Sequence, residues 1–222
     1  DERVAAGEFR RDGHPARGSF LPPVPLPRRM WAGGTLKFQQ DLKVGDTIRR
    51  ISRIEDVVLK EGRTGALCFV SVSHCIEAEG VVHVKERQEI VYRDYSIPGP
   101  PKYRSADSNI NSNRLSINEA ALFRYSALTF NSHRIHYDLQ YTKSIEGYPD
   151  LVVHAPLQAT LLLGYATQIR HGAPTQFSYR GVYPLFQGEP FSLNARANGE
   201  KLEVWTAKDN GAVCMEGTAA WA

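Results

Sequence analysis

The chain has 222 residues, 42% of them hydrophobic and 23% charged, with a net charge of +3. That length fits one large domain or two small ones and suffices to bury a core. The mild basic excess suits an anionic small ligand and excludes the charge density of a nucleic-acid binder.

Residues 1–30 combine charged and glycine positions with "FLPPVPLPRR", whose four prolines rule out a helix or a central strand. They predict an extended arm on the protein surface. Residues 31–95 read as strands. "LKFQQDL", "TIRRISRIEDVVL", "GALCFVSVSHCI" and "VVHVKERQEIVY" alternate branched and polar residues between Gly- and Asp-containing turns, the pattern of an antiparallel meander. Residues 96–115, rich in Pro, Ser and Asn, predict a linker. Residues 116–222 begin with "SINEAALFRYSAL". Ser116 and Glu119 form a capping-box pattern, so a helix is expected over about 117–128. "VVHAPLQATLLLGYATQI" predicts a second helix with Pro156 at its first helical position, apolar on nearly every face and therefore buried all round. Four more strands follow, to "GAVCMEGTAAW".

"DLKVGDTI" (Asp41 to Ile48) and "PLFQGEPF" (Pro184 to Phe191) share a leucine, a glycine-acid pair and a following strand, which points to an internal repeat. The second half has helices ahead of its strands and the first has only the arm. The matching helix is expected upstream of Asp1. No run of about 18 apolar residues offers a membrane span. Cys68, Cys75 and Cys214 show neither disulfide nor zinc spacing and read as reduced thiols, predicting a cytoplasmic location, or the mitochondrial matrix in a eukaryote.

Between the two predicted helices lies "LTFNSHRIHYD" (Leu128 to Asp138), and "LVVHAPLQA" (Leu151 to Ala159) opens the second helix. In order and spacing these resemble the His loop and helix mouth of the MaoC-like (R)-specific enoyl-CoA hydratases. "TFNSHRIHYD" and "LPRRMWAGG" (Leu26 to Gly34) are most similar to the subgroup of mesaconyl-C4-CoA and itaconyl-CoA hydratases and mitochondrial 3-hydroxyacyl-thioester dehydratases. The resemblance implies an α+β double hot-dog, two repeats of an antiparallel sheet wrapped around a buried helix, with the first repeat lacking its helix in this chain. Two positions depart from the broader family: its catalytic Asp is replaced by Asn131, and the Gly after the second histidine is Ala155.

What the resemblance implies is addition of water to an enoyl-CoA, or its elimination. His136 would be the acid/base, and Asn131 would hold water without exchanging a proton. The Ala155 backbone N–H at the helix mouth would receive the enolate oxygen, since Pro156 has none to offer. Arg134 is either an exposed charge or a guanidinium that recognises a second carboxylate bidentately, as a short dicarboxylic thioester requires. His133 is a solvent-facing or supporting residue at the substrate site, and His154 orients the helix entrance. Asn131 is alternatively a left-handed helix cap, Asp138 a loop brace and Tyr125 a core residue. Arg28, Arg29, Lys37, Arg49 and Arg50 are unranked candidates for CoA phosphates.

No cofactor is expected beyond CoA within the substrate, and no metal, because His133 and His136 at i, i+3 lack a third ligand. A homodimer paired through sheet edges is expected, with neither nucleic acid nor membrane as partner. The same scaffold also hosts thioesterases and acyl-binding proteins. A thioesterase would want a carboxylate near the buried helix, and none occurs between Leu151 and Arg170.

Overall fold

Alternating branched residues broken by glycine turns build most of the molecule. The computed structural model describes residues 5–62, 65–94 and 112–221. Four strands come first: β1 (Arg28–Phe38), β2 (Ile48–Gly62), β3 (Gly65–Ala78) and β4 (Val81–Arg93). The short β5 (Ser112–Leu115) leads to the helices α1 (Glu119–Thr129), α2 (Leu139–Ser144) and α3 (Ala155–Arg170). β6 (Gln176–Gly181), β7 (Phe191–Asn198), β8 (Lys201–Lys208) and β9 (Val213–Ala220) complete the chain.

All nine strands join one antiparallel sheet in the order β2-β3-β4-β1-β6-β9-β8-β7-β5. Read outward from the β1–β6 seam, the two halves mirror each other: β1 answers β6, β4 answers β9, β3 answers β8 and β2 answers β7. The repeated sequence stretches fall in the loops that enter β2 and β7. A simple meander is therefore incomplete as a description. β1 pairs with β4 and β6 rather than with β2, because the connection over residues 39–47 is too long for a tight hairpin and crosses to the other side.

α3 packs on the second half through Ala159, Leu162 and Ala166 against Phe177, Leu193, Val204 and Met215. It is not buried all round. Thr160, Gly164 and Gln168 lie exposed along one stripe, because the sheet covers a single side of the helix. Its one deeply buried polar side chain, Gln158, is satisfied by the Thr206 hydroxyl, which donates to Oε1 at 2.8 Å. Asn118, not Ser116, caps α1, accepting from the Ala121 N–H at 3.0 Å.

The arm is also not a surface strap. Val24, with Leu21 and Leu26 beside it, packs on Cys68, Val70, Val72, Ile90 and Tyr92 of the first half. Prolines hold this segment extended, and its apolar side chains cover the face of β3 and β4. β1 begins at Arg28, inside the stretch assigned to the arm, and β5 occupies the end of the stretch assigned to the linker. The remainder of that linker, residues 96–111, lies outside the described residues. Among the described residues no helix is long and apolar enough to cross a membrane.

Candidate active site

α1 ends because Phe130 turns left-handed (φ 51°), with the Asn131 N–H returning to the Ser126 carbonyl at 2.9 Å. Asn131 is therefore not itself the left-handed residue. Its side-chain oxygen accepts the His133 N–H at 3.1 Å, which fixes the amide orientation and leaves Nδ2 as its free donor. A 3-10 turn at Arg134–His136 follows, and Asp138 caps α2 by accepting from the Tyr141 N–H at 2.9 Å.

This short turn drives His136 inward, where it is 7% exposed. Its Nδ1 lies 2.7 Å from the Val152 carbonyl oxygen. A carbonyl only accepts, so Nδ1 carries the hydrogen and Nε2 keeps the basic lone pair. Burial, with the neighbouring His154, holds the His136 pKa well below the usual histidine value, and the Val152 contact opposes that shift. His136 is thus neutral and proton-accepting at pH 7.

Val152 belongs to the extended entry to α3, pinned by Val152 N–H to the Ile135 carbonyl at 2.9 Å and Val153 N–H to the Leu185 carbonyl at 2.8 Å. Three residues past Val152, Ala155 starts α3, so its N–H lies at the positive end of the helix. His136, Asn131, His133 and Ala155 all border one cavity of about 1660 Å³. That volume accommodates an acyl chain together with the long arm of a thioester carrier.

Other expected site residues are placed differently. His154 does not line the cavity; it lies fully buried behind His136, with the two rings stacked at 3.6 Å. Its Nε2 pairs with the Ser126 hydroxyl at 2.9 Å, and burial pushes its pKa down to about 4. His133 is buried rather than solvent-facing, and its pKa is lowered well below the usual value by burial and then by His14. Tyr125 borders the cavity instead of the core. Arg134 is turned away. Its guanidinium donates twice to Asp138 Oδ2 (3.0 and 2.6 Å), reaches the Arg11 carbonyl and lies over the Tyr141 ring at 4.3 Å. A carboxylate four residues on already occupies it, so the substrate-binding role expected for Arg134 is corrected. Arg28 is likewise occupied by buried Glu146, at 2.9 Å.

Sequence reading missed the arm's contribution. Residues 10–14 dock on the His loop: the Arg134 N–H donates to the Asp12 carbonyl at 2.9 Å, and the Ser132 hydroxyl donates to the Gly13 carbonyl. This places the His14 ring 4.3 Å from that of His133, both bordering the cavity. Asp12 fastens His14 by accepting its N–H at 3.0 Å. Gly13 has a left-handed φ of 87°, and a Cβ there would overlap the Ser132 carbonyl. Gly13→Ala is expected to lower stability by about 1–3 kcal/mol, read from urea unfolding, and to depress turnover by displacing His14; an unchanged midpoint would show that the docking is not needed.

Comparison with known proteins places this architecture. The family model for hydroxyacyl-thioester dehydratase type 2 matches residues 3–187. The chain belongs to the hydroxyacyl-thioester dehydratase type 2 family. It is also 40% identical over 219 residues to mesaconyl-C(4)-CoA hydratase of Chloroflexus aurantiacus, an alignment covering 97% of this chain and 78% of the relative. Among solved structures it resembles HtdX of Mycobacterium tuberculosis at 17% identity and a TM-score of 0.70, over 90% of this chain and 80% of that one. A conserved hypothetical protein of the same organism, whose structure is a double hot-dog fold, superposes with a TM-score of 0.58 at 12% identity, over 87% and 74% of the two chains. The mirrored sheet is accordingly a double hot-dog, and the family is one of hydro-lyases.

Proposed function

We propose that this chain adds water across the α,β double bond of an enoyl-CoA thioester, and that the same site runs the elimination in reverse. The observation that supports it most directly is His136: a buried, neutral imidazole anchored through Nδ1 and bordering the same cavity as the first N–H of α3.

In this reading Nε2 of His136 takes a proton from water as the water oxygen bonds to Cβ. The π electrons shift onto the thioester oxygen, where the Ala155 N–H receives the growing negative charge. The enolate then collapses, Cα takes the proton back from His136, and the imidazole returns to its neutral form. Asn131 holds the water oxygen through Nδ2, since its own oxygen is committed to the His133 N–H. His133 lines the substrate side of the cavity, and His154 acts only by supporting the His136 ring.

The name of the Chloroflexus relative supports a short dicarboxylic acyl group such as mesaconyl-C4-CoA or itaconyl-CoA. The family model gives weaker support to a second reading, dehydration of 3-hydroxyacyl thioesters, which uses the same groups in the opposite order. A panel of enoyl-CoA thioesters differing in length and carboxylation, followed by loss of the conjugated absorbance, tests both. Hydration of short carboxylated members is the expected result. Release of free thiol would establish a thioesterase instead, and binding without turnover an acyl-binding protein.

A homodimer is part of the proposal. Among the described residues the sheet ends on β2 and β5, and β2 exposes Ile48, Val57 and Leu59. Light scattering at twice the 24.8 kDa chain mass is the expected observation.

A further inference from the structure

Among the described residues, six arginines approach the cavity or the His loop. Arg17, Arg28, Arg29, Arg50 and Arg93 border the cavity, and Arg134 lies on the loop. Arg50 is exposed on β2, and Arg17, Arg28, Arg93 and Arg134 have partners. Arg17 donates to the carbonyls of Val24, Leu26 and Pro27 and lies over the Tyr92 ring at 4.6 Å. Arg28 is paired with Glu146 and Arg134 with Asp138. Arg29 differs. It borders the cavity from β1, opposite the fully buried Tyr92 on β4, and among the described residues no carboxylate comes within ion-pairing distance of it. The Tyr92 hydroxyl, a neutral group, hydrogen-bonds the Arg29 side chain and is the strongest favourable influence on it. Asp12, which acts on it more weakly, is engaged by the His14 N–H and by Arg10 at 3.8 Å.

Desolvation is the strongest influence on the Arg29 guanidinium, and its charge is felt at His14 and His133. Arg29 thus borders the same cavity as those two rings and acts electrostatically on both. A guanidinium cannot shed its proton to escape burial, so an anion supplied from the cavity is the natural way to satisfy it.

We propose that Arg29 is the receptor for the free carboxylate of a short dicarboxylic thioester, binding it through two parallel N–H donors. This rests on the hydration reading and deepens it: a carboxylate at or near Cβ, held by Arg29, leaves the double bond beside His136. His14 and His133, neutral at pH 7, add no competing charge and can contribute N–H donors to the same anion. Selectivity for carboxylated acyl groups then resides at the junction of arm and sheet, far in sequence from the His loop.

Titration calorimetry with unreactive saturated ligands tests it without requiring turnover. Wild type, Arg29→Gln and Arg29→Lys are titrated with succinyl-CoA and with butyryl-CoA, and again with the two pantetheine thioesters, which lack the nucleotide phosphates. Arg29→Gln is expected to weaken succinyl binding by about 10- to 100-fold in both carrier series while leaving butyryl binding unchanged. Arg29→Lys should recover part of the loss. The unchanged butyryl affinity also shows that the variant is folded. Equal weakening of both acyl groups, or no weakening, overturns the proposal. A loss confined to the CoA series overturns it too, by assigning Arg29 to a phosphate. A wild-type protein that hydrates no enoyl thioester would defeat the hydration reading alone, because the succinyl–butyryl difference would still report on Arg29.

Discussion

His136→Ala is expected to cut the hydration rate by a factor of about 100 to 10,000, the range for removing a positioned general acid/base. The size of the effect follows from position. His14 and His133 also border the cavity as neutral rings, but His136 is the one anchored through Nδ1 to Val152, three residues before the mouth of α3. His154, directly behind, has no place on the cavity wall, and Asn131 can donate but cannot accept a proton with its oxygen committed. Alanine would also remove one ring of the 3.6 Å stack and leave the Val152 carbonyl without its donor, so part of any loss would come from local collapse. His136→Asn separates the two causes. An asparagine amide can still donate to Val152 as Nδ1 does, while offering no base in place of Nε2. The expected result is a near-native melting profile with the same loss of rate.

The pH profile is a second readout of the same group. The rate should fall only on the acid side, as His136 takes up a proton. Because burial lowers its pKa, the plateau should extend below pH 6.5. An asparagine variant with wild-type turnover would remove His136 from the chemistry.

What the sequence reveals about this site is what local chemistry dictates. A capped helix and a proline-started helix frame the loop 131–136 and the mouth at Ala155, while the roles of His136, Asn131 and Ala155 follow from the resemblance to the MaoC-like hydratases. α2 escaped notice although its cap, Asp138, stood in view, because a six-residue helix is too short to show periodicity. That omission misplaced Arg134: with α2 formed, Asp138 is held where it captures the guanidinium. Contacts made across long sequence separation left no local trace. Gly13 and Ser132 meet over 119 positions, and nothing in "DGHPAR" signals that His14 will lie against His133. The prolines exclude a helix or central strand over residues 22–27, but extended chain can line a core as well as a surface. Only packing decides between the two.

The cluster formed by those long-range contacts makes the folded state sensitive to acid. His14, His133, His136 and His154 are all buried, and burial lowers the pKa of each, to about 4 for His14 and for His154. In the unfolded chain each has its ordinary value near 6.5. Above pH 6.5 both states are neutral, and these groups leave stability unaffected. Between about pH 6.5 and 4 the unfolded state binds protons that the folded state refuses, so stability falls as pH falls. The slope is about 1.4 kcal/mol per pH unit for each histidine. His14 and His154 alone then cost about 3 kcal/mol apiece at the lower limit, and His133 and His136 act in the same direction. Asp12 opposes the trend at His14, since its carboxylate favours a charged imidazole, while Arg29 and Arg17 reinforce it; desolvation is the largest influence. Against a typical total of about 5–15 kcal/mol, the sum is enough to open the site well before general acid denaturation. Urea midpoints at pH 7.5, 6 and 5 should drop at each step, and His14→Gln or His154→Gln should flatten the dependence by about one proton each. Midpoints that hold steady from pH 7 to 4.5 would mean that the four rings admit protons, and hence water, in the folded state, and a water-excluded His136 would have to be abandoned with them.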